Sequence, residues 1–230
     1  MTEPKIPYGQ QLIDASLKLG KPALANSNIS ELMKDLSISQ DDLVGEVAEA
    51  FANVLVCLGI DTNNDHNTEG TAKRVAKMFV KEVYKGRYTE QPEMTAFPNA
   101  KNVKDMFTLG PIRVQSACSH HLVPIVGEAW VGIIPNDKVL GISKYHRIVD
   151  HIMRRPQIQE ESAEQVADMI QELTGAEDVA FVVRAQHMCM TWRGVNAPQE
   201  SSMVSTVLRG KFKDSTVRAE FFNTVKGQGF

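Results

Sequence analysis

Apolar residues recur at helical spacing in the first half of the chain and alternate at period two through much of the second. Leu12, Ile13, Leu17 and Leu19 predict a short helix, which Pro22, Asn26 and Asn28 break before a weaker helical patch, so residues 1–40 are expected to form an arm. Ser39 with Asp42 three residues on is an N-cap signal, and Leu43, Val47, Phe51, Val54, Leu55 and Leu58 then repeat at helical spacing as far as Gly59. A further helix is expected over 71–85, apolar along Val75, Met78, Phe79 and Val83 and basic along Arg74, Lys77 and Lys81.

After Pro92 and Pro98 the texture changes. Segments 107–118 and 126–135 are β-rich, 143–155 and 160–173 are helical and stop at Pro156 and Gly175, and 179–190 alternates cleanly. A weaker strand over 203–209 and a last helix over 215–225 complete the chain. Strand, strand, helix, helix, strand, strand is an α+β plan: an antiparallel four-stranded sheet with two helices on one face, preceded by an N-terminal helical region. The expected divisions are an arm over 1–40, a helical region over 41–102 and a sheet domain over 103–230.

Charge narrows the function. Twenty-five Lys plus Arg against 28 Asp plus Glu gives a net charge of −3, so no bulk positive field points to nucleic acid or an anionic membrane. Any anion must be held by a local cluster. No apolar run reaches the ~18 residues of a membrane span, and the polar start Met1-Thr2-Glu3-Pro4-Lys5 lacks the core of a secretory signal, so a cytoplasmic location is expected. Three cysteines, Cys57, Cys118 and Cys189, are too few for a disulfide scaffold and are expected to be reduced. Cys57 falls inside the helix that ends at Gly59 and is expected to be a small buried side chain rather than a ligand.

Cys118-Ser119-His120-His121 is the densest set of metal-type ligands, with Cys-X-X-His spacing between Cys118 and His121. On a period-two strand His187 and Cys189 share a face, which makes Cys189 a third donor. Three thiolate and imidazole ligands leave an open position on zinc, whereas His120 or His187 as a fourth would close the site, and two unrelated core thiols would bind nothing. In Gly141-Ile142-Ser143-Lys144-Tyr145-His146-Arg147, Ser143 can cap a helix whose N-terminus, with Lys144 and Arg147 on one face, suits a phosphate. Arg193-Gly194 adds a cation just beyond Cys189, and ordinary surface charge is the plainer account of each cation taken singly. Gln159, Glu160 and Glu161 open the next helix, where carboxylates also complement the helix dipole.

From about Thr68 to Val225 the chain resembles GTP cyclohydrolase I. The resemblance rests on Cys118-Ser119-His120-His121-Leu122-Val123-Pro124, Gly141-Ile142-Ser143-Lys144, Arg147-Ile148-Val149, Arg155-Pro156-Gln157-Ile158-Gln159-Glu160, His187-Met188-Cys189-Met190 and Arg193-Gly194-Val195. It implies a T-fold assembled into a toroidal homodecamer with sites at subunit interfaces, and conversion of GTP to 7,8-dihydroneopterin triphosphate with loss of formate. It further implies zinc on Cys118, His121 and Cys189, His120 as proton donor to the guanine imidazole ring, and His187 as a helper in later proton transfers, with Ser143 in the catalytic set. Gln159 and Glu160 would take the base, a carboxylate accepting from N1–H and N2–H of guanine. Lys144, Arg147 and Arg193 would bind the triphosphate, with Arg74 and Lys77 supplied from another part of the assembly.

Two positions depart from the family pattern. Ser119 stands where the family carries Glu, and Thr71-Ala72-Lys73-Arg74 where it carries Thr-Pro-His-Arg. Ser119 lies between the expected metal ligands and bears on rate or substrate. Two other readings stay open: a T-fold enzyme acting on another purine or pterin, and a non-catalytic zinc-containing nucleotide binder.

Overall fold

A computed structural model describes residues 6–230, in which the chain forms two compact units, one up to Glu90 and one from Gln91 to Phe230. The first holds α1 (Tyr8–Lys18), α2 (Ser30–Asp35), α3 (Gln40–Cys57), α4 (Thr71–Lys77) and α5 (Lys85–Tyr88) around Leu12, Met33, Leu43, Val44, Ala76 and Val80. The expected cap is present: Ser39 Oγ accepts from the Asp42 N–H at 3.1 Å while Asp42 Oδ2 accepts from the Ser39 N–H at 2.8 Å. Val54 and Leu58 of the expected apolar stripe remain 47% and 68% exposed, and Cys57, expected to be buried, is exposed as well, because the unit's core takes the Leu43, Val44, Val47 and Ala48 side of α3. The helix expected to run unbroken over 71–85 instead widens into π-helical turns at Met78–Val83. The longer turn lets Tyr84 N–H reach Phe79 O at 2.9 Å and stacks the two rings 5.0 Å apart.

The second unit contains β1 (Ala96–Pro98), β2 (Phe107–Cys118), β3 (Pro124–Ile134), β4 (Lys138–Leu140), α6 (Ile142–Met153), β5 (Pro156–Gln157), α7 (Gln159–Thr174), β6 (Asp178–His187), α8 (Met188–Thr191), β7 (Met203–Leu208) and α9 (Ser215–Gly227). The long strands are antiparallel in the order β2-β3-β6-β7. The sheet has five strands rather than four, since Pro156 ends the helical run and favours extended backbone, and β5 joins the outer edge of β2 in parallel at Ala117 and Cys118. β1 and β4 pair separately as a small antiparallel sheet.

Period-two alternation assigns the two faces. Ala129, Val131 and Ile133 of β3 and Val179, Phe181, Val183 and Ala185 of β6 face α6 and α7, where they meet Ile148, Ile152, Val166 and Ile170. Trp130, Ala180 and Val182 point the other way, against Phe212, Phe221 and Val225, so α9 covers part of the second face. α7 ends where expected, at Gly175 with φ 69°, a left-handed cap that glycine adopts without strain. Among the described residues, no helix is long and apolar enough to cross a membrane.

Phe221 is fully buried and packs edge-on against Phe212, with ring centroids 5.5 Å apart. Phe221→Ala is expected to destabilise the fold by about 3–5 kcal/mol, read from the shift in the urea unfolding midpoint. An unshifted midpoint would show that α9 contributes nothing to the core.

Candidate metal centre and substrate site

The site begins where the β2–β3 hairpin turns. Cys118 N–H donates to Val123 O at 2.9 Å and Leu122 N–H to Cys118 O at 2.8 Å, and Leu122 takes φ 55° to close the loop. Cys118 is thereby buried at the end of β2, while His120 and His121 project from the turn and are exposed. Pairing of Cys118 with Gln157, together with Ser119 N–H donating to Gln157 O at 3.2 Å, ties the same end of the hairpin to β5.

Cys189 reaches this point by a different route from the one its spacing implies. β6 stops at His187, and Cys189 lies on the single helical turn α8, not on the strand. Along β6 the inward face leads to His187, and only a helical turn re-aims the chain so that the thiol at Cys189 faces the hairpin end. The donor atoms of Cys118, His121 and Cys189 lie within 4.8 Å of one another. Bond lengths of about 2.0–2.3 Å at a tetrahedral ion place donors roughly 3.3–3.8 Å apart, so a small adjustment closes the set around a metal. Two thiols and an imidazole suit a thiophilic divalent ion rather than calcium or magnesium. Burial and the adjacent Cys118 push the Cys189 thiol up from its ordinary value, and Arg193 partly opposes them. Around the trio, His120 Nδ1 is 3.6 Å from Cys118 Sγ, and Arg193 donates from Nη1 to His121 Nε2 at 2.8 Å.

His187 is 9% exposed at the end of β6, and its Nε2 is 2.8 Å from Gln159 Oε1. Burial holds its pKa below the usual imidazole value, while the Glu160 charge acts in the opposite sense. Gln159 and Glu160 are neighbours in sequence but differ in environment. Gln159 is 3% exposed with its amide engaged by β6 and β7, whereas Glu160 is exposed and lines an open cleft of about 360 Å³ with Met203, Ser205 and Val207.

Ser143 does not cap α6. The helix starts one residue earlier, with Gly141 at the N-cap and no side-chain cap bond, because Gly141 O already accepts from Lys144 N–H at 2.8 Å. Ser143 and Arg147 are exposed on the helix, and Lys144 Nζ donates to Glu93 O at 3.2 Å. Among the described residues, none of the three has a hydrogen bond or ion pair with the Cys118, His121 and Cys189 group. Arg74 and Lys77 belong to the other unit, where Arg74 donates to Asn67 O at 3.2 Å and Lys81 of the same basic stripe is paired with Asp41 at 2.6 Å. Ser205, 7% exposed on β7 and bonded to Gln159, joins the site without a motif to mark it. Its signal was a hydroxyl at an inward position of an alternating strand.

The profile of the family described as GTP cyclohydrolase I matches residues 47–226. A GTP cyclohydrolase 1 of Flavobacterium johnsoniae is 36% identical over 211 residues, covering 91% of this chain and 94% of that protein. One from Aliivibrio fischeri is 35% identical, covering 93% of this chain and 99% of the relative. A GTP cyclohydrolase 1 2 of Pseudomonas aeruginosa is 42% identical over 179 residues, or 76% of this chain and 97% of that one. The apo structure of an archaeosine synthase QueF-Like aligns with TM-score 0.38 and 19% identity over 46% of this chain and 93% of that chain.

Cys118→Ser, His121→Ala and Cys189→Ser are each expected to lose bound metal, and His120→Ala to retain it, as measured by elemental analysis of the purified proteins. Full occupancy in the three ligand variants would reject the trio. Loss in His120→Ala would make His120 a ligand and the site closed.

Proposed function

We infer that this chain, which belongs to the GTP cyclohydrolase I family, hydrolyses GTP at C8 of guanine, releasing formate and yielding 7,8-dihydroneopterin triphosphate. The observation that carries the reading is the convergence of Cys118, His121 and Cys189, with His120 beside them, within a chain matched along most of its length. Zinc is the ion that suits this donor set, and when bound it supplies a Lewis acid that makes hydroxide available near neutral pH.

The chain's own residues do the rest. Cys118, His121 and Cys189 would hold the ion. His120, exposed and anchored through Nδ1 beside the Cys118 sulfur, donates a proton to the imidazole ring of guanine as it opens. His187 handles protons in the later steps. Glu160 accepts from guanine N1–H and N2–H, a pairing only a carboxylate makes at both positions. Gln159, already engaged inside the protein, supports the site rather than the base. Lys144, Arg147 and Arg193 bind the triphosphate, and Ser143, exposed beside Lys144, offers a hydroxyl to the same substrate.

Assembly belongs to the same proposal. β7 is an edge strand and β5 covers only two residues of β2, so both sides of the sheet carry backbone groups for a neighbouring copy. A T-fold homodecamer at work in the cytoplasm, free of nucleic acid and membrane, pairs these edges and lets Arg74 and Lys77 of one copy serve the site of another.

Incubation of zinc-replete protein with GTP is expected to release formate in step with a product that becomes a fluorescent neopterin on oxidation. Glu160→Gln should lower kcat/KM for GTP at least ~10²-fold, since an amide sets a donor against a guanine donor. Unchanged turnover would remove Glu160 from base recognition.

Ser119, half-buried behind the hairpin turn, brings a neutral hydroxyl where the family pattern has a carboxylate. Ser119→Glu is expected to raise turnover with metal content unchanged, through added negative charge beside the proton-handling histidines. A wild-type protein that binds zinc and GTP yet never releases formate would identify a non-catalytic homologue.

A further inference from the structure

The side-chain amide of Gln159 has a single workable orientation. Its Nε2 lies 3.2 Å from Met203 O, 3.4 Å from Val183 O and 3.0 Å from Ser205 Oγ, while Oε1 lies 2.8 Å from His187 Nε2. Two of the three partners of the nitrogen are backbone carbonyls, which only accept. Turning the amide over would set its oxygen against both carbonyls in a place from which water is excluded, with Gln159 3% and Ser205 7% exposed. The NH2 group therefore faces β6 and β7, and the oxygen faces the histidine.

An amide oxygen only accepts, so His187 must carry a proton on Nε2. Among the described residues Nδ1 makes no hydrogen bond, so the contact to Gln159 is the one that orients the ring. We propose that Ser205 is a positioning residue: with the Met203 carbonyl it fixes the Gln159 amide, and the oxygen of that amide in turn holds His187 through its Nε2–H, as the Nε2–H tautomer. Ser205 and Met203 belong to β7 and Gln159 to the first turn of α7, so the brace joins two elements outside the metal-binding segments. The consequence for turnover rests on the function proposed above. The tautomer does not.

Magic-angle-spinning ¹⁵N spectra of histidine-labelled full-length protein, with His187 assigned from a His187→Gln sample, test this directly. Wild type is expected to show one neutral form of His187, protonated at Nε2, and Ser205→Ala a mixture of both tautomers. Ser205→Ala should also lower kcat for GTP by about 10-fold, in the range usual for residues that orient a site histidine, with KM and metal content unchanged. Ser205→Thr, which keeps the hydroxyl, should restore both readouts. A wild-type His187 protonated at Nδ1 overturns the proposal, whether or not the protein acts on GTP, and needs no variant to fold. Unchanged tautomer and kcat in Ser205→Ala overturn the part assigned to Ser205.

Discussion

Two backbone hydrogen bonds across the β2–β3 turn carry the site. With Cys118 N–H bonded to Val123 O and Leu122 N–H to Cys118 O, the residues between them form a loop too tight to bury its own side chains. Cys118 belongs to the core, and the two histidines that follow it are pushed into the open. One thiol from inside and one imidazole from outside can meet only at the rim of the sheet. β6 runs alongside β3, with His187 opposite Ile125, and so delivers its own C-terminal end to the same rim.

Much of this could be seen in the residues. The long strands and the helices between them followed from period-two and helical spacing, and the Ser39 cap from a pair of side chains three apart. The donor trio emerged from residue type and order, although the reason given for Cys189 was a strand that stops two residues short of it. Alternation cannot report where a strand ends when the next residues, Met188 to Thr191, are equally apolar. β5 was hidden because two residues carry no period, and the π-helical turns because what accompanies them, stacking of Phe79 on Tyr84, is a ring contact rather than a spacing.

Gln159 and Glu160 show a second limit. A helix start offers consecutive side chains to different surroundings, one to the sheet and one to solvent, and composition treats the two alike. The difference decides what each can do. A buried amide held by β6, β7 and His187 is fixed in orientation, whereas an exposed carboxylate next to an open cleft keeps its accepting capacity. Burial also lowers the pKa of His187, and the neighbouring Glu160 charge acts against it.

The separation of the two cysteines along the chain has a consequence for the unfolded state. Cys118 closes one hairpin and Cys189 follows a strand reached only after two helices, yet their sulfurs belong to one cluster. An ion bonded to both would join two distant parts of the chain. Its donors are brought together only by folding, since the unfolded chain holds Cys118 and Cys189 far apart in sequence with nothing to keep them near one another. Any metal held there would stabilise the fold through its preference for the folded chain, and a chelator would lower stability even where it left every contact in the sheet untouched.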